Sequence, residues 1–234
     1  KNREAINQVY YRLAALQDGG NLSNYTMVRL ARWNLESRNK PDAAEEIYDF
    51  ILLQRPQGEA VGIALVDSAK ILAAKDTTNS REQALKRFER VLNEVDQVEV
   101  REEAVLGIAR LHTAQENWEV AQQWWEAYLD DRSFTLARPE ANYQYAVCLD
   151  RKGDKAEAKK AYVNVYVIHA GHLDWSTKAY LRAAEMRREE GSLVDGLKIL
   201  QDMLKRMGHL EHPGIEEGRK RFHTWRDELV AGGK

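Results

Sequence analysis

Residues 101–128 read REEAVLGIARLHTAQENWEVAQQWWEAY, and their pattern decides the fold. From Arg101 to His112 the apolar residues Ala104, Val105, Ile108, Ala109 and Leu111 recur at helical spacing and share one side of a helix. A short polar break follows at Glu116-Asn117. The next amphipathic block places Ala121 twelve residues after Ala109, and Trp125 four residues after Ala121. Two antiparallel helices joined by a tight turn approach closely only where both present small side chains. A bulky residue one turn beyond fills the space beside the crossing. The stretch is therefore expected to be a helical hairpin.

The same arrangement recurs along the chain. Polar breaks fall at Asn39-Lys40-Pro41, Asp76 to Ser80, Lys152-Gly153-Asp154 and Glu190-Gly191-Ser192. After the breaks come Ala44/Tyr48, Ala84/Phe88, Ala121/Trp125, Ala158/Tyr162 and Gly196/Leu200, the small residues being spaced by 40, 37, 37 and 38. Ala146/Ala158 and Ala184/Gly196 repeat the twelve-residue spacing of Ala109/Ala121. In the second hairpin the matching pair, Ala69/Ala84, is three residues longer, and in the first Arg32 stands where a small residue is expected. One hairpin cannot bury its apolar stripe alone, so successive hairpins are expected to stack. Val95 to Val100 and Tyr162 to Ile168 are β-branched runs that would read as strands in isolation, but the repeat places the second inside a helix.

These residues resemble the tetratricopeptide repeat family, whose pattern has a small residue in a first helix and, after the turn, an alanine followed by an aromatic in the second. The resemblance spans about residues 23 to 210. The family's early Trp and its Leu-Gly pair are missing here, and the period is longer. It implies an all-α fold: a right-handed α-solenoid of five antiparallel hairpins, over 23–56, 57–97, 100–133, 137–172 and 175–209, with capping helices at 1–18 and 214–231. The N-terminal cap would use Ile6, Val9, Tyr10, Leu13 and Leu16; the C-terminal cap Ile215, Phe222, Trp225 and Leu229. With no Gly/Ser/Pro-rich linker in the chain, a single continuous domain over 1–234 is expected. A further, looser likeness to bacterial cell-envelope scaffolds implies a periplasmic or envelope setting.

Composition narrows the function. With 234 residues, 44% apolar and 31% charged, the chain can bury a full core and is not of disordered type. Lys+Arg number 35 against 37 Asp+Glu, so no basic excess exists for phosphate backbones, and nucleic acid is not an expected partner. The longest apolar stretch, Val61 to Val66, ends at Asp67, well short of the roughly 20 residues of a membrane span. Cys148 is the one cysteine, flanked by Val147 and Leu149, and reads as a small buried hydrophobe. Opening on Lys1 rather than Met, the chain leads one to expect a segment upstream.

Chemistry is sparse. No phosphate-binding glycine loop, nucleophile elbow or HExxH motif is present, so no enzymatic activity and no cofactor are expected. His169/His172 and His209/His212 form two HxxH pairs at equivalent ends of the fourth and fifth hairpins. They are the available zinc ligands, though loop histidines near helix ends need no metal. Trp124 points about 100° away from the packing residue Trp125 and is the candidate exposed aromatic anchor. The local basic runs at Arg182 to Arg188 and Arg219 to Arg226 are offset by neighbouring acids.

The resemblance further implies that the first helices line a concave groove for a protein or peptide. Counting from the small residues, that groove presents Arg29 and Trp33; Asp67 and Lys70; Leu106 and Arg110; Tyr143, Val147 and Arg151; Arg182 and Glu185. The family's clamp for chaperone tails needs Lys and Asn at set positions, which Asn142, Asn164 and Lys178 do not reproduce. The expected function is a non-catalytic scaffold or adaptor. Two other readings are a glycan- or wall-binding protein stacking sugars on Trp124, Tyr143 and Tyr180, and a metal-dependent hydrolase built on the histidine edge.

Overall fold

A computed structural model describes residues 22–232 together with Val9 and Arg12; most of the expected N-terminal cap thus lies outside the described residues. The chain divides into two compact units, Lys1–Leu111 and His112–Lys234. In unit 1 the helices are α1 (Asn24–Arg38), α2 (Pro41–Gln54), α3 (Ala60–Ala74) and α4 (Thr78–Glu94). The boundary falls within α5 (Val98–Ala114). Unit 2 continues with α6 (Trp118–Asp130), α7 (Arg138–Lys152), α8 (Lys155–Ile168), α9 (Leu173–Glu189), α10 (Leu193–Met207) and α11 (Pro213–Gly232). No strand occurs among the described residues: Tyr162 to Ile168 is helical, and Val95 to Gln97 forms the link into α5.

Within each unit the helices pack in chain order. In unit 1, α1 packs on α2, α2 on α3 and α3 on α4, while the first helices α1 and α3 also touch. Unit 2 runs the same way from α6 to α11, with α7 against α9 and α9 against α11. The small and bulky second-helix pairs form the core: Ala44/Tyr48, Ala84/Phe88, Ala121/Trp125, Ala158/Tyr162 and Gly196/Leu200 are all buried. The crossing is close enough to require small residues. A Cβ added to Gly196 would lie 2.9 Å from the Ala184 carbonyl oxygen and 3.1 Å from the Trp225 ring.

Each hairpin turns through one residue in the left-handed region: Asn39, Asp76, Glu116, Gly153 and Gly191. Every one of them lies seven residues after the first-helix position occupied by Arg32, Ala69, Ala109, Ala146 or Ala184. In three turns the following amide donates to the carbonyl five residues back (Asn117 to His112, Asp154 to Leu149, Ser192 to Arg187), the bond that closes a helix end on a left-handed residue. The three extra residues of the second hairpin enter after the turn. They lengthen α4 by nearly one helical turn, which keeps Ala84 and Phe88 on the packing face. Thr77 and Ser80 cap that extension reciprocally, each side chain accepting from the other's amide.

The C-terminal helix matches its expected role in part. Ile215 and Trp225 are buried and Phe222 is half-buried, whereas Leu229 is exposed. Leu229 lies a turn beyond Trp225, where the hydrophobic cluster formed by α9, α10 and α11 has already ended. Val9, placed on the apolar side of the N-terminal block, is likewise exposed.

Candidate functional site

In unit 2 the groove residues of the fourth and fifth hairpins converge. Tyr143, Val147 and Arg151 lie one turn apart along α7, and Arg182 lies on the neighbouring α9. With Asp150, Lys155, Tyr162 and Glu189 they line a cleft of about 560 Å³. One side is aromatic. The Tyr143 ring sits 5.8 Å from Tyr162 and 5.4 Å from Trp175, whose own ring lies beneath the Lys178 ammonium at 4.6 Å. The Arg151 guanidinium, exposed at the rim, lies over Trp118 at 5.7 Å.

The floor of the cleft is a buried charge network. Asp150, 7% exposed at its side chain, accepts from Arg182 Nε at 2.6 Å and Nη2 at 3.2 Å, from Lys155, and from the Tyr162 hydroxyl at 3.5 Å. Burial by itself would raise its carboxyl, but the hydrogen bonds from Arg182 and Lys155 outweigh it and hold the group below the usual carboxylate range. Arg182 is in turn raised above its ordinary value by its hydrogen bond to Asp150 first and then by that to Glu189, against the opposing effect of burial. Three cations, Arg151, Lys155 and Arg182, thus face two carboxylates, Asp150 and Glu189, and the cleft carries a net positive charge.

Unit 1 repeats the buried carboxylate with its arginine and tyrosine partners. Asp67 accepts from Arg32 Nε at 2.6 Å and from the Tyr48 hydroxyl at 3.0 Å. The arginine at the otherwise small position is thus the charge partner of the next first helix. Asp67, expected in the groove, is buried because both donors close over it. Lys70 pairs with Glu103 and lines an apolar recess of about 300 Å³ with Leu35, Pro41 and Ile71.

The remaining groove expectations divide by position. Arg29, Lys70 and Arg110 are exposed. Trp33 is only 6% exposed, with the Arg38 guanidinium 5.1 Å from its ring, and is no groove residue. Leu106 is 1% exposed. Three residues before the small position, the side chain borders the buried stripe, and an apolar group there turns inward, as Val66 does in the second hairpin. Glu185 is half-buried and accepts from Arg221 of α11 rather than facing the cleft. Trp124 is half-buried, while Trp125 is fully buried and donates to Thr113 Oγ1 at 2.9 Å. Tyr180, offered for sugar stacking, is fully buried against Tyr166 with ring centroids 3.8 Å apart, and its hydroxyl donates to Asp202 at 2.8 Å.

Two of the four candidate histidines, His169 and His212, hydrogen-bond to protein groups. His169 Nε2 lies 3.2 Å from Asn142 Nδ2, and its pKa is lowered by burial and then by the neighbouring His172 and Arg138. His212 Nε2 lies 3.0 Å from Asp174, and its Nδ1 accepts from the Gly214 amide. His172 and His209 are exposed. Among the described residues no three metal-ligating side chains converge. Cys148 is fully buried, and burial pushes its thiol up to about 11.

Four participants were missed from sequence: Asp150, Lys155, Glu189 and Trp175. Asp150 carried a readable signal, an ionisable residue four after Ala146 and beside the buried Leu149, where an apolar residue would ordinarily stand. Glu189 lies two turns beyond Arg182 on the same face.

No protein-family model matches the sequence, and neither does any curated protein. Among solved structures, the chain is similar to YrrB, described as a TPR protein with an unusual peptide-binding site, at TM-score 0.57 and 17% identity over 85% of this chain and 92% of that one. PilW, a type IV pilus biogenesis factor, gives TM-score 0.59 at 15% identity over 91% and 94% of the two chains. A tetratricopeptide repeat protein from Parabacteroides merdae ATCC 43184 gives TM-score 0.59 at 14% identity over 96% and 79%. At such identities the likeness carries the fold, and the fold is TPR-like: all-α, built from consecutive helical hairpins.

Proposed function

We propose that the chain is a non-catalytic interaction scaffold that docks a peptide segment of a protein partner in the cleft between α7 and α9. The observation carrying this reading is the gathering of Tyr143, Val147, Arg151 and Arg182 around one opening. Its walls combine an aromatic pair, an aliphatic side chain and a cation, a combination common at binding hot spots. The structural neighbour described as having a peptide-binding site supports the same use of this fold. The balanced charge favours protein over nucleic acid. No helix among the described residues is long and apolar enough to cross a membrane. A neighbour described as a pilus biogenesis factor is compatible with an envelope setting.

The test is capture of the partner from lysate of the source cell by wild type and by Arg151→Glu. Arg151 is exposed and outside the buried network, so helicity is expected to stay unchanged while capture falls by about tenfold. Equal capture by both proteins contradicts the cleft assignment.

A further inference from the structure

We propose that Glu189 occupies the seat of a partner carboxylate, and that an acidic side chain of the docked peptide displaces it from Arg182. This rests on the cleft reading above and names the chemistry the cleft selects.

The two carboxylates on Arg182 are held very differently. Asp150 is nearly buried and takes the Nε and Nη2 edge of the guanidinium, with Lys155 and Tyr162 as further donors. That side of the fork is built into the core. Glu189 takes the opposite edge, with Nη1 to Oε1 at 2.6 Å and Nη2 to Oε2 at 3.3 Å. Its side chain is 48% exposed, and among the described residues Arg182 is its one ionic partner. Glu189 is also the last residue of α9, where the helix dipole disfavours negative charge and where a side chain is released with the least disturbance.

Asp150 therefore orients Arg182 while the half-exposed Glu189 covers the remaining Nη1 and Nη2 donors of the fork at the cleft. Planar guanidinium recognises carboxylates two bonds at a time, and an exposed internal carboxylate in that seat is a competitor in place before the ligand arrives. On its release Arg151, Lys155 and Arg182 face Asp150 alone, so the cleft gains positive charge as the peptide carboxylate enters. Tyr143 and Val147, on the same opening, would receive the apolar neighbour of that acidic residue. The chemistry selected is a peptide carboxylate beside an aliphatic side chain. A phosphorylated side chain offers an anion of similar placement and is separated by the test.

The test titrates the full chain with short synthetic peptides in a Gly/Ser background. Each carries one Leu beside Glu, Gln or phosphoserine. Wild type is expected to bind the Glu peptide more tightly than the Gln peptide. Glu189→Gln, an exposed and nearly isosteric change, is expected to tighten the Glu peptide by about tenfold and to leave the Gln peptide unchanged. Val147→Asp is expected to abolish binding in both backgrounds. Binding that Val147→Asp abolishes but Glu189→Gln does not tighten leaves the cleft reading standing and overturns the displacement. A gain confined to the phosphoserine peptide overturns the carboxylate assignment. If no peptide binds either protein, or if Val147→Asp is without effect, the cleft reading and the displacement fall together.

Discussion

At the scale of single residues, the chain places a buried carboxylate beneath a tyrosine and an arginine twice, once in each unit. Asp67 meets Tyr48 and Arg32; Asp150 meets Tyr162 and Arg182. In both, the tyrosine is the bulky residue of a hairpin's second helix, and the ion pair links neighbouring first helices. Removing one member of a buried pair leaves its partner uncompensated, which costs more than the intact pair contributes. Asp150→Asn is therefore expected to lower unfolding free energy by about 2–4 kcal/mol at neutral pH, measured by urea denaturation. The pH dependence has a definite sign. A carboxyl held below its ordinary value stabilises fully above the unfolded-state value, and that contribution is lost as pH falls through the folded-state value. Wild type should thus lose stability below about pH 4 more steeply than Asp150→Asn does.

At the scale of elements, the sequence and the structure agree closely, for a physical reason. Hairpin geometry is set by small residues at crossings and by left-handed turn residues, and both are local and visible in sequence. Gly153 and Gly191 adopt the left-handed conformation without a steric penalty; Asn39, Asp76 and Glu116 adopt it at a cost. Replacing Glu116, at φ 57°, with Gly is expected to raise stability by about 1 kcal/mol. Gly153→Ala, at φ 94°, is expected to lower it by a similar amount. Thermal unfolding of the two variants checks both signs. Tyr162 to Ile168 shows where propensity misleads. Tyr162, Val165 and Tyr166 are buried on the repeat's packing face, and their burial overrides the strand preference of the run. Val163 and Val167 remain exposed on its outer side, Val163 bordering a recess it shares with Tyr166, Ala183 and Ile199.

At the scale of the whole molecule, the repeat period and its five hairpin turns were legible, because each repeat restates the same contacts. The site was legible in half. Tyr143, Val147, Arg151 and Arg182 follow from counting along a helix, which fixes the face a residue occupies. Counting cannot say whether that face is open, since this depends on what a neighbouring helix brings. Leu106 and Trp33 turned inward, Glu185 was taken by Arg221, and Asp67 was closed over by Arg32 and Tyr48. Glu189 shares a face with Arg182 two turns along the same helix, whereas Lys155 and Trp175 became visible only once the helices were packed.

Docking in the α7–α9 cleft is tested most directly by a photo-reactive side chain installed at Val147, with Val163 on the outer side of α8 as its counterpart. Partner protein is expected to cross-link from Val147 and not from Val163, and the Val147 product is expected to fade when Arg151→Glu is added. Cross-linking from Val163 alone, or from Val147 undiminished by Arg151→Glu, contradicts it.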